Sequence, residues 1–169
     1  MRILGIDPGY AIVGYGVVDY HQNRFSVVGF GAITTPAGMP FPKRLRDIDR
    51  DMHSILEKYQ PDELSIEKLY FNTNTTTAID VAQARGVIVL AAEKHGVSVA
   101  EYTPLQVKQA ITGYGRAEKR QVMEMVKNFL NLQAVPKPDD TADALALAVC
   151  HAHYAGTDYS RLYKEVGGK

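Results

Sequence analysis

The order of strand-like and helix-like segments constrains this chain more than any figure of composition. Residues 2–7, 12–19 and 25–34 are rich in isoleucine and valine, and only Pro8-Gly9 and the His21-Gln-Asn-Arg24 stretch separate them. Links that short suit antiparallel hairpins, whereas parallel neighbours need long crossovers. The pattern then changes. The Gly-Met-Pro-Phe-Pro stretch ending at Pro42 opens a helix, in which Leu45, Ile48, Met52, Ile55, Leu56 and Tyr59 recur at helical spacing until Pro61 stops it. A fourth strand is expected over 63–67, a long helix over 75–95 and a fifth strand over 97–102. Helices follow from Thr103-Pro104, over 118–131 and over 140–154, broken by Gly113-Tyr-Gly115 and by Pro136-Lys-Pro138. Three hairpin-linked strands followed by alternating strands and helices predict an α/β fold with a mixed five-stranded sheet and helices on both faces.

A length of 169 residues suits one domain. We expect that domain to span 1–156, with 157–169 a flexible tail. Lysine plus arginine and aspartate plus glutamate number 19 each, so any attraction to a polyanion must come from local charge. The single cysteine, Cys150, excludes an internal disulfide and a cysteine-rich zinc module, and reads as a small core residue. No signal peptide and no membrane-spanning run is evident, so the expectation is a soluble cytoplasmic protein with no membrane partner.

Four acids stand out against this frame. Asp7 ends the first strand and Glu67 ends the fourth, while Asp140 and Asp143 open the last helix three residues apart and so share a face. Strands one and four are natural neighbours in such a sheet, which would set Asp7 beside Glu67. Carboxylates gathered together repel and hold their protons more tightly unless cations bind. Their hard oxygens suit Mg²⁺ or Mn²⁺, and two such ions can serve phosphodiester hydrolysis. Each acid also has an ordinary explanation. Capping and the helix dipole account for Asp139, Asp140 and Asp143 taken alone, and Asp7 before Pro-Gly can open a turn. Glu67 resists this, because an unpaired acid after Leu64 and Ile66 in a central strand is costly. The combination is more specific than any member.

The residues Ile-Asp7-Pro-Gly9, Ile-Glu67 with Tyr70 and Phe71 after it, Gln83-Ala-Arg85-Gly86, Gln106-Val-Lys108-Gln, Gly-Arg116-Ala-Glu-Lys119 and Asp140-Thr-Ala-Asp143-Ala-Leu-Ala resemble the RuvC family of Holliday-junction resolvases, in order, from Arg2 to His153. The resemblance implies an RNase H-like fold and a homodimeric, Mg²⁺-dependent endodeoxyribonuclease that nicks opposed strands of a four-way DNA junction. It puts the catalytic, metal-binding acids on Asp7, Glu67, Asp140 and Asp143, with two ions between them, and active-site lysines on Lys108 and Lys119. It further implies cooperation with a branch-migration motor complex of the RuvA and RuvB type. Some members carry histidine at the Asp140 position, and the family pattern has phenylalanine where this chain has Tyr70.

Residues 104–127 hold Lys108, Arg116, Lys119, Arg120 and Lys127 against Glu118 and Glu124, a local surplus suited to phosphate contacts. Arg120 and Lys127 are accounted for by a solvated helix face. Tyr70 and Phe71 are candidates to stack on unpaired bases or wedge a junction open, with core packing as the ordinary alternative. His21, His53, His95, His151 and His153 carry no metal pattern, since 151 and 153 point to different sides of their helix. Ala78, Ala82 and Gly86 give the long helix a smooth face, the candidate surface for a two-fold dimer. Two rival classes remain. The stretch from Asp7 to Gly14 is similar to the first phosphate loop of actin-like ATPases and sugar kinases, but a second glycine-rich loop is missing from this sequence. A non-catalytic nucleic-acid-binding module would have no use for four retained acids.

Overall fold

The structure is a computed structural model and describes residues 1–69 and 75–156. The elements are β1 (Arg2–Asp7), β2 (Ile12–His21), β3 (Arg24–Thr34), α1 (Phe41–Tyr59), β4 (Glu63–Glu67), α2 (Thr75–Lys94), β5 (Ser98–Tyr102), α3 (Pro104–Thr112), α4 (Lys119–Phe129) and α5 (Asp139–Gly156). They form one sheet of order β3-β2-β1-β4-β5. The β1–β2 and β2–β3 pairs are antiparallel, and β1–β4 and β4–β5 are parallel. The mixed RNase H-like sheet expected from the sequence is therefore present. The β2–β3 hairpin is tighter than expected. Gln22 and Asn23 both take positive φ (47° and 61°), so the strands run on through His21 and Arg24 into a two-residue turn that follows the twist of the strands.

Helices cover both faces, and alternation along the strands sorts the core between them. Leu4 and Ile6 of β1, with Leu64 and Ile66 of β4, face α1 and α2 and pack among Ile48, Met52 and Ile88. Ile3 turns the other way, into a second cluster with Val122, Val126, Leu145 and Val149 from α4 and α5. Two glycines decide how closely α5 lies on the sheet. A Cβ on Gly5 would fall 1.9 Å from the Ala144 carbonyl oxygen, and one on Gly14 would fall 2.0 Å from that of Asp140. No other residue fits there, so the backbone of α5 rests directly on β1 and β2. Two hydroxyls fasten it: buried Ser65 donates to the Leu147 carbonyl (2.8 Å) and Thr141 donates to that of Gly31 (3.2 Å).

Candidate active site

Asp7 lies on the same face of β1 as Gly5, the face that α5 covers. The parallel register Ile6↔Ile66 brings the end of β4, and with it Glu67, alongside. Asp7 is also paired across the β1–β2 ladder with Gly14, the residue on which the Asp140 backbone rests. Strand pairing and helix seating thus deliver four acids to one end of the sheet. Their mutual influence is plain in the ionisation of Asp7, which is pushed up from 3.8 to about 8. Burial is the largest cause, followed by the charges of Asp143, Glu67 and Asp140. Burial and then Asp143 raise Glu67, and burial raises Asp143 itself.

Lys119 moderates this repulsion. Lys119, the first residue of α4, places Nζ 2.9 Å from Asp143 Oδ2 and 3.8 Å from Asp139 Oδ2. Its hydrogen bond to Asp143 raises the lysine and opposes the upward pull on the acid, and its charge lowers Asp7 as well. α4 is held in position by a cap, in which the Glu118 backbone N–H donates to Gln121 Oε1 (2.9 Å). A cavity of 260 Å³ opens beside the acids, lined by Glu67, Asp143, Lys119 and Lys108 over an apolar floor of Val107, Val122 and Leu147. Among the described residues no three acid, histidine or cysteine side chains already stand close enough to enclose an ion. The chemistry of the donor set nevertheless fits one: hard carboxylate oxygens converge on one partly buried spot, where an added cation would relieve both their burial and their mutual repulsion.

A model of the family "Crossover junction endodeoxyribonuclease RuvC" matches residues 3–151. The chain belongs to the RuvC family. It is 62% identical over 154 residues to the crossover junction endodeoxyribonuclease RuvC of Brevibacillus brevis, covering 91% of this chain and 93% of the relative. The corresponding protein of Alkaliphilus oremlandii is 59% identical over 153 residues, covering 90% and 93%. Thermus thermophilus RuvC in complex with Holliday junction substrate superposes with a TM-score of 0.85 at 32% identity, covering 92% of this chain and 96% of that one. Membership in the RuvC family implies a nuclease that depends on a divalent metal.

The residues that resemble the RuvC pattern fall into three groups. Asp7, Glu67, Asp140, Asp143, Lys108 and Lys119 come together at the site. Arg116 is exposed in the turn between α3 and α4, on the same side of the fold as those helices. Tyr70 and Phe71 lie outside the described residues, as does the segment 157–169 expected to be a tail. Lys127 pairs loosely with Glu124 on α4 (3.8 Å), as expected of a solvated face. On the smooth face of α2, Gly86 is exposed beside Ile79, Gln83 and Leu90, while Ala78 and Ala82 are half-buried. Ser65 and Thr141, which seat α5, escaped the sequence reading. A serine inside an apolar strand was the available signal, since a buried hydroxyl needs a partner.

Proposed function

We propose that the chain resolves four-way DNA junctions by paired, symmetric, metal-dependent phosphodiester hydrolysis in recombination and repair. The observation that carries this is the convergence of Asp7, Glu67, Asp140 and Asp143, with Asp7 pushed up to about 8. All four are proposed as catalytic metal ligands for two Mg²⁺ ions, with Mn²⁺ as a substitute. The chemistry supplied by ions held on these four acids would be activation of the attacking water and stabilisation of the leaving oxygen. The chain's own residues do the rest. Asp7 and Glu67 hold their oxygens on strand ends, and Asp140 and Asp143 hold theirs on a helix seated on glycine, so neither pair can drift from the other. Lys119 and Lys108 face the cavity and are suited to offset charge developing on the scissile phosphate. Arg116 is suited to a flanking phosphate. Tyr70 and Phe71, three and four residues beyond Glu67, are proposed to stack on unpaired bases at the junction.

Two opposed nicks call for two sites on a two-fold axis, hence a homodimer, and the exposed Ile79–Gly86–Leu90 face of α2 is the proposed meeting surface. A branch-migration motor of the RuvA and RuvB type is the proposed partner, and the cytoplasm the proposed place of action. No helix of the described residues is long and apolar enough to cross a membrane. The test is nicking of four-way junctions against linear duplex, with Mg²⁺ and with chelator, for the parent and Asp7→Asn. Junction-selective, Mg²⁺-dependent cutting that Asp7→Asn abolishes is expected. Cutting under chelator, or a fully active Asp7→Asn, would overturn the reading. Sedimentation on junction DNA should give a dimer, and a strict monomer would remove the two-fold mechanism.

A further inference from the structure

Glu67 is the last residue of β4, paired with Tyr102 of β5. The last β1–β4 rung is Ile6↔Ile66, so β1 offers the Glu67 carbonyl no further ladder partner. The donor comes from the opposite face of the sheet. Arg85 of α2 donates Nε–H to the Glu67 carbonyl oxygen at 3.2 Å, and a terminal nitrogen of the same guanidinium forms an ion pair with the Glu101 carboxylate. Glu101 belongs to β5, one residue before Tyr102, which is paired with Glu67. The guanidinium therefore fastens together the end of β4, its neighbour β5 and helix α2. It is well covered, with 18% of its side chain accessible against 42% for Glu101. A planar fork with two fixed directions holds such a geometry better than a point charge does.

We infer that Arg85 is a positioning residue for the reaction: it fixes the backbone of Glu67, and so the direction of its carboxylate, without touching DNA. The inference rests on the proposed role of Glu67 as a metal ligand. Nε and one terminal nitrogen of Arg85 are engaged within the protein, on Glu67 and Glu101. A carboxylate displaced by about 1 Å costs on the order of 10²-fold in rate even when every reacting group is present.

The experiment compares Arg85→Ala, Arg85→Lys, Glu101→Gln and Glu67→Gln in the full chain. Three quantities are measured: single-turnover cutting at saturating junction, junction affinity under chelator, and the Glu67 carboxyl carbon resonance in the metal-free protein. Arg85→Ala should lower the rate by roughly 10²-fold, raise the Mg²⁺ needed for half-maximal cutting several-fold and shift the Glu67 resonance. Its metal-free junction affinity should stay at the parental value. Arg85→Lys should recover part of the rate, and Glu101→Gln should show a weaker form of the same loss. If Arg85→Ala does not fold, the lysine and glutamine variants still decide. Parental rate and resonance in those two would overturn the inference, and so would a loss of metal-free affinity matching the loss of rate, the mark of a phosphate ligand. Glu67→Gln keeps the two readings apart. If it cuts normally the proposed metal site fails; if it is dead while the Arg85 variants are normal, only the positioning role fails.

Discussion

Strands β1 and β4 each begin and end on a charged residue, and their two ends are built on opposite rules. At the beginning, Arg2 holds Asp19 at 2.8 Å and donates to the Tyr59 carbonyl at 2.9 Å, while Glu63 meets the buried His151 ring at 2.5 Å and His151 meets the Tyr102 hydroxyl at 2.8 Å. Every acid there has a partner, and Asp19 is held below its ordinary value chiefly by its hydrogen bond to Arg2. At the other end Asp7 and Glu67 are joined by Asp140 and Asp143, with Lys119 the one cation bonded to them among the described residues, and Asp7 moves the opposite way, to about 8. One end satisfies its charges. The other concentrates them, which costs stability in the apo protein and suits a site completed by added cations.

The sharpest way to break this contrast is Asp7→Asn. Cutting of four-way junctions in Mg²⁺ should fall by about 10³-fold, measured as a single-turnover rate, while folding in chelator should be undisturbed. The pH dependence of stability follows the same line. Folded Asp7 keeps a proton that the unfolded chain has released, so metal-free stability should fall as pH rises from about 4 to about 8, at up to roughly 1.4 kcal/mol per pH unit. Urea unfolding across that range should show the slope in the parent and a flatter one in Asp7→Asn. The Arg2–Asp19 end has the opposite sign. Its contribution is present above pH 3.8 and is lost as pH falls through the lowered value of Asp19.

Gly5→Ala attacks the contrast through packing alone. The new methyl meets the backbone of α5, so the helix must lift and carry Asp140 and Asp143 with it. We expect a loss of about 1–3 kcal/mol in unfolding free energy together with roughly 10²-fold slower cutting. Lys119→Ala removes the site's moderating cation. Cutting should drop on the order of 10-fold, and its pH profile should move to higher pH, because Lys119 now holds Asp7 down. The smallest effect on catalysis belongs to the far end. His151→Ala should cost about 1–3 kcal/mol of stability through lost hydrogen bonds and packing and leave the cutting rate at the parental value. A slowed His151→Ala would mean the two ends are coupled, through α5 or through Tyr102, which bonds His151 and is paired with Glu67.

Much of this was legible before any coordinates. The hairpins announced antiparallel pairing, the later alternation announced crossovers, and Glu67 after two apolar strand residues announced an acid with a purpose. What the sequence left open at Asp140 and Asp143 was the choice between a helix cap and a site, because first-turn acids serve both. Arg85 stood only within a stretch resembling a family pattern. Its partners, the Glu67 carbonyl and Glu101, lie 18 and 16 residues away in sequence, and no local periodicity links them.

The sequence by itself therefore determined the elements, their sheet and the four acids. Strand and helix periodicity, turns and buried charge are short-range signals, and these are what a linear pattern carries. Only the tertiary structure decided that the acids meet. That depends on a parallel register setting Glu67 beside Asp7, and on glycines that let the backbone of α5 lie against the sheet. It also depends on Lys119 arriving from a separate helix. Contacts between elements far apart in sequence are fixed by shape and volume, and those quantities exist only once the chain has packed.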